Sequence, residues 1–187
     1  MRNFTVNSKD SFVLIVDIQE KLLPAMSEAE MVRKNSYILV KAAEALGLPT
    51  IVTEQYPKGL GATISELKDK LKEIGALYSD KTAFNAITPK VKESLFDSSF
   101  SGRKNAIIFG IEAHICVFQS VRTLLNLGYN VFVPIDAVSS REIKNKENAL
   151  SMFIQMGAMV SSTEALLFDL LEDSKNPHFK ELNTLIK

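Results

Sequence analysis

Only one cysteine, Cys116, occurs in the 187-residue chain. That excludes an internal disulfide and suits a reducing compartment. Histidine is almost as scarce: His114 and His178 are the two present, and neither stands at ligand spacing from a second metal-binding side chain, so a structural zinc is excluded. Charge of either sign is not in excess. Lys plus Arg and Asp plus Glu each number 22, which removes the counterion release that drives nucleic-acid binding. The lysines are interleaved with acids, as in ELKDKLKE (66–73), the pattern of a solvated helix face. Long hydrophobic runs are missing too: FVLIV (12–16) is too short for a signal core or a membrane span, and MRNFTVNSKD contains no apolar stretch. These absences predict a cytoplasmic protein that binds no nucleic acid and no membrane.

With 46% hydrophobic and 24% charged residues, the chain is long enough for one sizeable core and short for two, so a single domain over 1–187 is expected. Six short apolar runs punctuate it: FVLIVD (12–17), TIVTE (50–54), ALYSD (76–80), NAIIFG (105–110), NVFVPID (130–136) and AMVSS (158–162). Several are continuous rather than alternating, as strands covered on both faces are. Between them the period lengthens. Val117, Phe118, Val121, Leu124 and Leu125 recur at i, i+3, i+4 and i+7, and 31–47 and 141–157 read as helices on the same grounds. Gly47, Gly128 and Gly157 each follow a last helical turn and lead straight into a strand. Thr63-x-x-Glu66, Ser139-x-x-Glu142 and Ser161-x-x-Glu164 fit the capping box, and Thr88-Pro89 an N-cap with proline behind it. Phe179, Leu182 and Leu185 mark a last helix within about 177–187 that packs on the domain or on a neighbouring subunit. Strands alternating with helices imply a three-layer α/β/α fold around a parallel sheet.

Ligands of open parallel sheets bind beyond the carboxyl ends of the strands. Asp17 closes the first run, Lys81 follows the third, and Cys116 lies just past the fourth. Taken singly, these are a turn residue, a surface lysine and a small buried hydrophobe. Taken together they supply a nucleophile, a cation that favours its thiolate and a carboxylate able to carry its proton. A helix beginning at the cysteine adds N–H groups for an oxyanion and should, with Lys81, depress the thiol pKa.

The stretches VLIVDIQEKL, DKTAFNA and GIEAHICVFQSVRTLLNLGYNVFVPIDAVSSR resemble, in that order and over nearly the whole chain, the isochorismatase-like cysteine hydrolases. TEQYPKGLG (53–61) is similar to the isochorismatase-domain-containing subgroup. The resemblance implies a Rossmann-like, six-stranded parallel sheet, an Asp17–Lys81–Cys116 triad, an oxyanion hole from the backbone N–H groups of Glu112 and Cys116, a cis peptide at Ile111–Glu112 and a homo-oligomer. The implied activity is hydrolysis of a small carbonyl substrate, an amide C–N bond foremost, through a covalent thioester, with no cofactor. A catalytically silent scaffold or partner-binding module of the same fold is the alternative, against which the intact triad speaks.

Nicotinamidases of that family hold a metal with an aspartate and histidines, whereas the loop here reads TEQYPKGLG without histidine; no metal is expected. Gln19, Tyr56, Phe84, Ile111 and Glu112 are the candidates for the substrate pocket. The Glu112 side chain either lines it and disfavours anions or turns into a salt bridge. His114 lies two residues from Cys116, a spacing that points the two side chains apart at a helix start.

Overall fold

The structure, a computed structural model, describes residues 4–187. Strands β1 (Ser11–Val16), β2 (Thr50–Gln55), β3 (Leu77–Lys81), β4 (Asn105–Ile111), β5 (Asn130–Pro134), β6 (Val138–Ser139) and β7 (Met159–Ser161) alternate with helices α1 (Ala29–Leu46), α2 (Pro57–Leu60), α3 (Ser65–Glu73), α4 (Pro89–Ser94), α5 (Phe118–Asn126), α6 (Ile143–Met156), α7 (Thr163–Leu171) and α8 (Phe179–Thr184). Six strands run in the order β3-β2-β1-β4-β5-β7, every pairing parallel. The two residues of β6 add a short parallel rung beside Gly110 and Ile111. Among the described residues no helix is long and apolar enough to cross a membrane.

Every residue of β1 and β4 is buried, which is why their sequences are continuous hydrophobic runs: helices cover both faces. On one side α1 packs beside α3, α7 and α8; α5 packs beside α6. The three glycines at helix ends adopt positive φ, 63° at Gly47, 90° at Gly128 and 92° at Gly157, the left-handed turn that stops a helix and releases the chain into a strand. The last helix packs on its own chain: Leu182 joins Ile38 and Ala42 of α1 and Leu167 and Leu171 of α7, with Phe179 and Leu185 against them.

The capping boxes are corrected in detail. Thr63 spends its hydroxyl and its N–H on the Glu54 carboxylate, each at 2.7 Å, so it caps nothing. Ser139 is in β6. Ser162, one residue beyond the expected Ser161, caps α7 by accepting from the N–H of Ala165. Thr88 does cap α4, accepting from the N–H of Val91 with Pro89 in the first turn. A polar side chain beside a helix start goes to the strongest local partner, and for Thr63 that is a buried carboxylate.

Candidate active site

Strand order reverses at β1, whose neighbours are β2 on one side and β4 on the other. Crossovers therefore leave toward both edges from this point and open a crevice at its carboxyl end. Asp17 leaves β1 there with φ 55°, a left-handed turn that aims its carboxylate across the edge. Oδ1 accepts from the Thr53 hydroxyl at 2.8 Å, and Oδ2 from Lys81 Nζ at 2.5 Å, both Asp17 and Lys81 side chains being fully buried. The ammonium also donates to Gln55 Oε1 at 2.6 Å and to the carbonyls of Ala83 and Phe84 at 3.3 and 3.4 Å. Cys116 lies in a π-helical turn, Ala113–Val117, that leads into α5. Asp17 and Lys81 both act electrostatically on its thiol. Ser120 holds this turn, donating to the Cys116 carbonyl at 2.6 Å while accepting from the N–H of Ala86 at 2.8 Å. Thus the structure brings Asp17, Lys81 and Cys116 together.

The electrostatics differ from the expectation of an acidic thiol. The Cys116 thiol is pushed up to about 12, by burial first and by the Asp17 charge second, with Lys81 opposing. The reason lies in the fold: the cysteine is in a tight buried turn ahead of α5 and not at the open end of an α-helix, and the Lys81 charge is already engaged by Asp17, Gln55 and two carbonyls. Burial also raises the Asp17 carboxyl above the ordinary carboxylate range, its hydrogen bonds and the Lys81 charge offsetting only part of that cost. A raised carboxyl beside a protonated thiol is a base better matched to that proton.

Cys116 opens on a cavity of about 510 Å³. Leu22, Ala25, Leu60, Phe84 and Ile115 form most of its wall, and Gln55, Glu112 and Arg141 bring polar groups. Of the pocket candidates, Phe84 and Glu112 line this cavity. Glu112 is both on the wall and in a salt bridge: its carboxylate accepts from the Arg141 backbone N–H at 2.9 Å and from Arg141 Nε at 3.1 Å. The other three candidates are not among the residues lining this cavity. Gln19 is buried and fastens the β2–α3 loop, donating to the carbonyls of Gln55 and Gly61 and accepting from the Gln55 N–H. Tyr56 borders a neighbouring depression of about 370 Å³ with Lys58 and Thr82. Ile111 is wholly buried, and the Ile111–Glu112 peptide is cis. His114 Nδ1 is 2.9 Å from Ser140 Oγ.

Sequence reasoning passed over Gln55 and Arg141. Gln55 ends β2, so the strand-end rule that found Asp17 and Lys81 applies to it equally. A second depression, about 630 Å³, opens at the opposite edge beside Thr50 and Leu77, the first residues of β2 and β3, the wrong end of a parallel sheet for the chemistry. Among the described residues no three His, Cys, Asp or Glu side chains converge where they would hold a metal ion.

Residues 11–165 match the isochorismatase domain. The chain belongs to the isochorismatase family. It is 38% identical over 181 residues to isochorismatase domain-containing protein 2 of Danio rerio, covering 97% of this chain and 89% of that one. Among solved structures it superposes on the MAR1 ribonuclease of Caenorhabditis elegans with a TM-score of 0.90 and 39% identity, over 97% of this chain and 92% of that one. Escherichia coli YcaC, described as an octameric hydrolase of unknown specificity, superposes with a TM-score of 0.89 at 26% identity, over all of this chain and 91% of that one.

Proposed function

We propose that this isochorismatase-family chain is a metal-independent cysteine hydrolase that cleaves a small carbonyl compound, an amide foremost, through a thioester on Cys116. One observation carries the reading: the sole thiol of the chain lies within the electrostatic reach of a fully buried Asp17–Lys81 ion pair and opens on a cavity with largely apolar walls. Burying two charges costs several kcal/mol per ion before pairing offsets it. A fold gains little stability from such a pair, and its place beside a nucleophile gives it a use.

In the proposed reaction Asp17 accepts the thiol proton as sulfur attacks the carbonyl carbon, so the thiolate forms only as it is consumed. The negative charge moves to the carbonyl oxygen, which the backbone N–H groups of Glu112 and Cys116 receive. The C–N bond then breaks, the leaving amine takes the proton from Asp17, and a thioester remains. Water attacks the thioester while Asp17 takes one of its protons, the C–S bond breaks, and the proton returns to sulfur. Lys81 holds Asp17 in place and balances its charge throughout. The octameric E. coli relative supports reading this chain as a homo-oligomer too.

The likeness to a protein described as a ribonuclease makes phosphodiester cleavage the second reading; the equal counts of basic and acidic residues speak against it. Intact-protein mass spectrometry after exposure to pooled small amides and esters separates the readings. A substrate-sized adduct that is absent in Cys116→Ala and decays with product release is expected. No adduct with any pool, together with cleavage of single-stranded RNA that persists in Cys116→Ala, would overturn the proposal. No adduct and no cleavage would leave the scaffold alternative.

A further inference from the structure

The charges around the cavity are already paired with one another. Gln55 gives Oε1 to Lys81 and Nε2 to the Thr82 carbonyl. Glu112, whose side chain is 8% exposed, takes the Arg141 backbone N–H and Nε. Asp17 and Lys81 cancel each other beneath the thiol, as Glu112 and Arg141 do on the wall. The remainder is the hydrocarbon of Leu22, Ala25, Leu60, Phe84 and Ile115. A charged acyl group entering this space would lose water and find no opposite charge left unpaired in the interior.

We propose, resting on the hydrolase reading above, that the cavity selects an uncharged, apolar acyl group and that Glu112 is the residue that sets this preference, by neutralising Arg141 at the wall. Arg141 is 62% exposed along its side chain, and its terminal nitrogens make no hydrogen bond among the described residues. Without Glu112 it would present a full positive charge to the cavity and draw in carboxylates. Glu112 thus trades an anion site for a neutral one.

Alkylation of Cys116 reads this field without requiring turnover. Sulfur displaces iodide from either neutral iodoacetamide or anionic iodoacetate, forming the S–C bond as C–I breaks, the thiol proton passing to Asp17 or solvent; the two reagents differ chiefly in charge. The quantity measured is the ratio of the iodoacetate rate to the iodoacetamide rate, by intact mass, in low salt. Glu112→Gln keeps a carbonyl acceptor for the Arg141 N–H and removes the charge, and should raise the ratio by about fivefold, an effect that added salt diminishes because Arg141 is exposed. Arg141→Gln should lower it. A change below twofold in folded Glu112→Gln, or movement of both variants in the same direction, overturns the proposal. Should Glu112→Gln fail to fold, Arg141→Gln decides alone: its ratio must fall. Because alkylation needs no acyl transfer, a protein that forms no acyl adduct would refute the hydrolase reading while these ratios still judge the field.

Discussion

Cys116 and Asp17 share one proton under unequal terms, and the neighbours decide where it rests. Burial and the Asp17 charge keep it on sulfur, the thiol being pushed up to about 12, while Lys81 pulls the other way. Removing the anion should therefore release the thiol: in Asp17→Asn the midpoint of iodoacetamide alkylation against pH is expected to fall by about one unit or more. Lys81→Met, which keeps the apolar stem and deletes the cation, should raise it further. An unmoved or higher midpoint in folded Asp17→Asn would refute this charge assignment. The three residues were legible in the sequence because each stands at a strand end or in the turn just beyond one, and strand ends of parallel sheets share an edge. The direction of the thiol shift was not. A motif shows that Lys81 is present but not that Asp17, Gln55 and two carbonyls already surround its ammonium. Gln19 and Gln55 illustrate the same limit: one glutamine follows β1 and the other ends β2, and only packing determines that Gln55 faces the cavity while Gln19 turns to fasten the loop.

At the scale of elements, the carboxyl end of β4 depends on the absence of a side chain. Gly110 has φ 126°, and a Cβ there would lie 2.0 Å from the Val16 carbonyl oxygen and 2.7 Å from its carbon. These are backbone atoms of β1, one residue before Asp17, and they cannot swing aside. Gly47 has φ 63° and nothing within 4 Å of its notional Cβ. Alanine at position 47 is thus expected to cost about 1 kcal/mol for its backbone conformation alone. Alanine at position 110 adds a steric clash between paired strands and should cost more than about 3 kcal/mol or prevent folding. Urea unfolding of the two variants checks this, and comparable losses at both positions would contradict the close approach of β1 and β4. The strands and the longer helices were readable because burial on two faces or one imposes a period on the sequence. Capping was readable at Thr88 but not at Thr63, where Glu54, nine residues earlier, outcompetes the helix for the same hydroxyl.

At the scale of the whole molecule, the alternation of strands and helices pointed to a parallel α/β sheet, yet the order β3-β2-β1-β4-β5-β7 follows from which crossovers turn back, and no local pattern encodes that. The thiol deep under this sheet edge couples to the stability of the entire chain. Unfolding exposes Cys116 to water, where it takes its ordinary pKa of 9.0, whereas the folded protein holds the proton to about 12. Between those values the folded state binds one more proton than the unfolded state, so rising pH favours unfolding; below 9 both states keep the proton and the effect vanishes. The slope is about 1.4 kcal/mol per pH unit. Tyr78, pushed up to about 12 from 10.0, acts in the same direction and is common to every variant at position 116, so the comparison that isolates the thiol is the native chain against Cys116→Ser. Urea denaturation under reducing conditions should find the native chain losing about 1.4 kcal/mol relative to Cys116→Ser between pH 7.5 and pH 10. A thiolate stabilised by the fold would have the opposite sign, because the native chain would then gain on the serine variant as pH rose through the depressed pKa. That outcome would restore the pre-formed nucleophile expected from the sequence and remove the need for Asp17 to take the proton during attack.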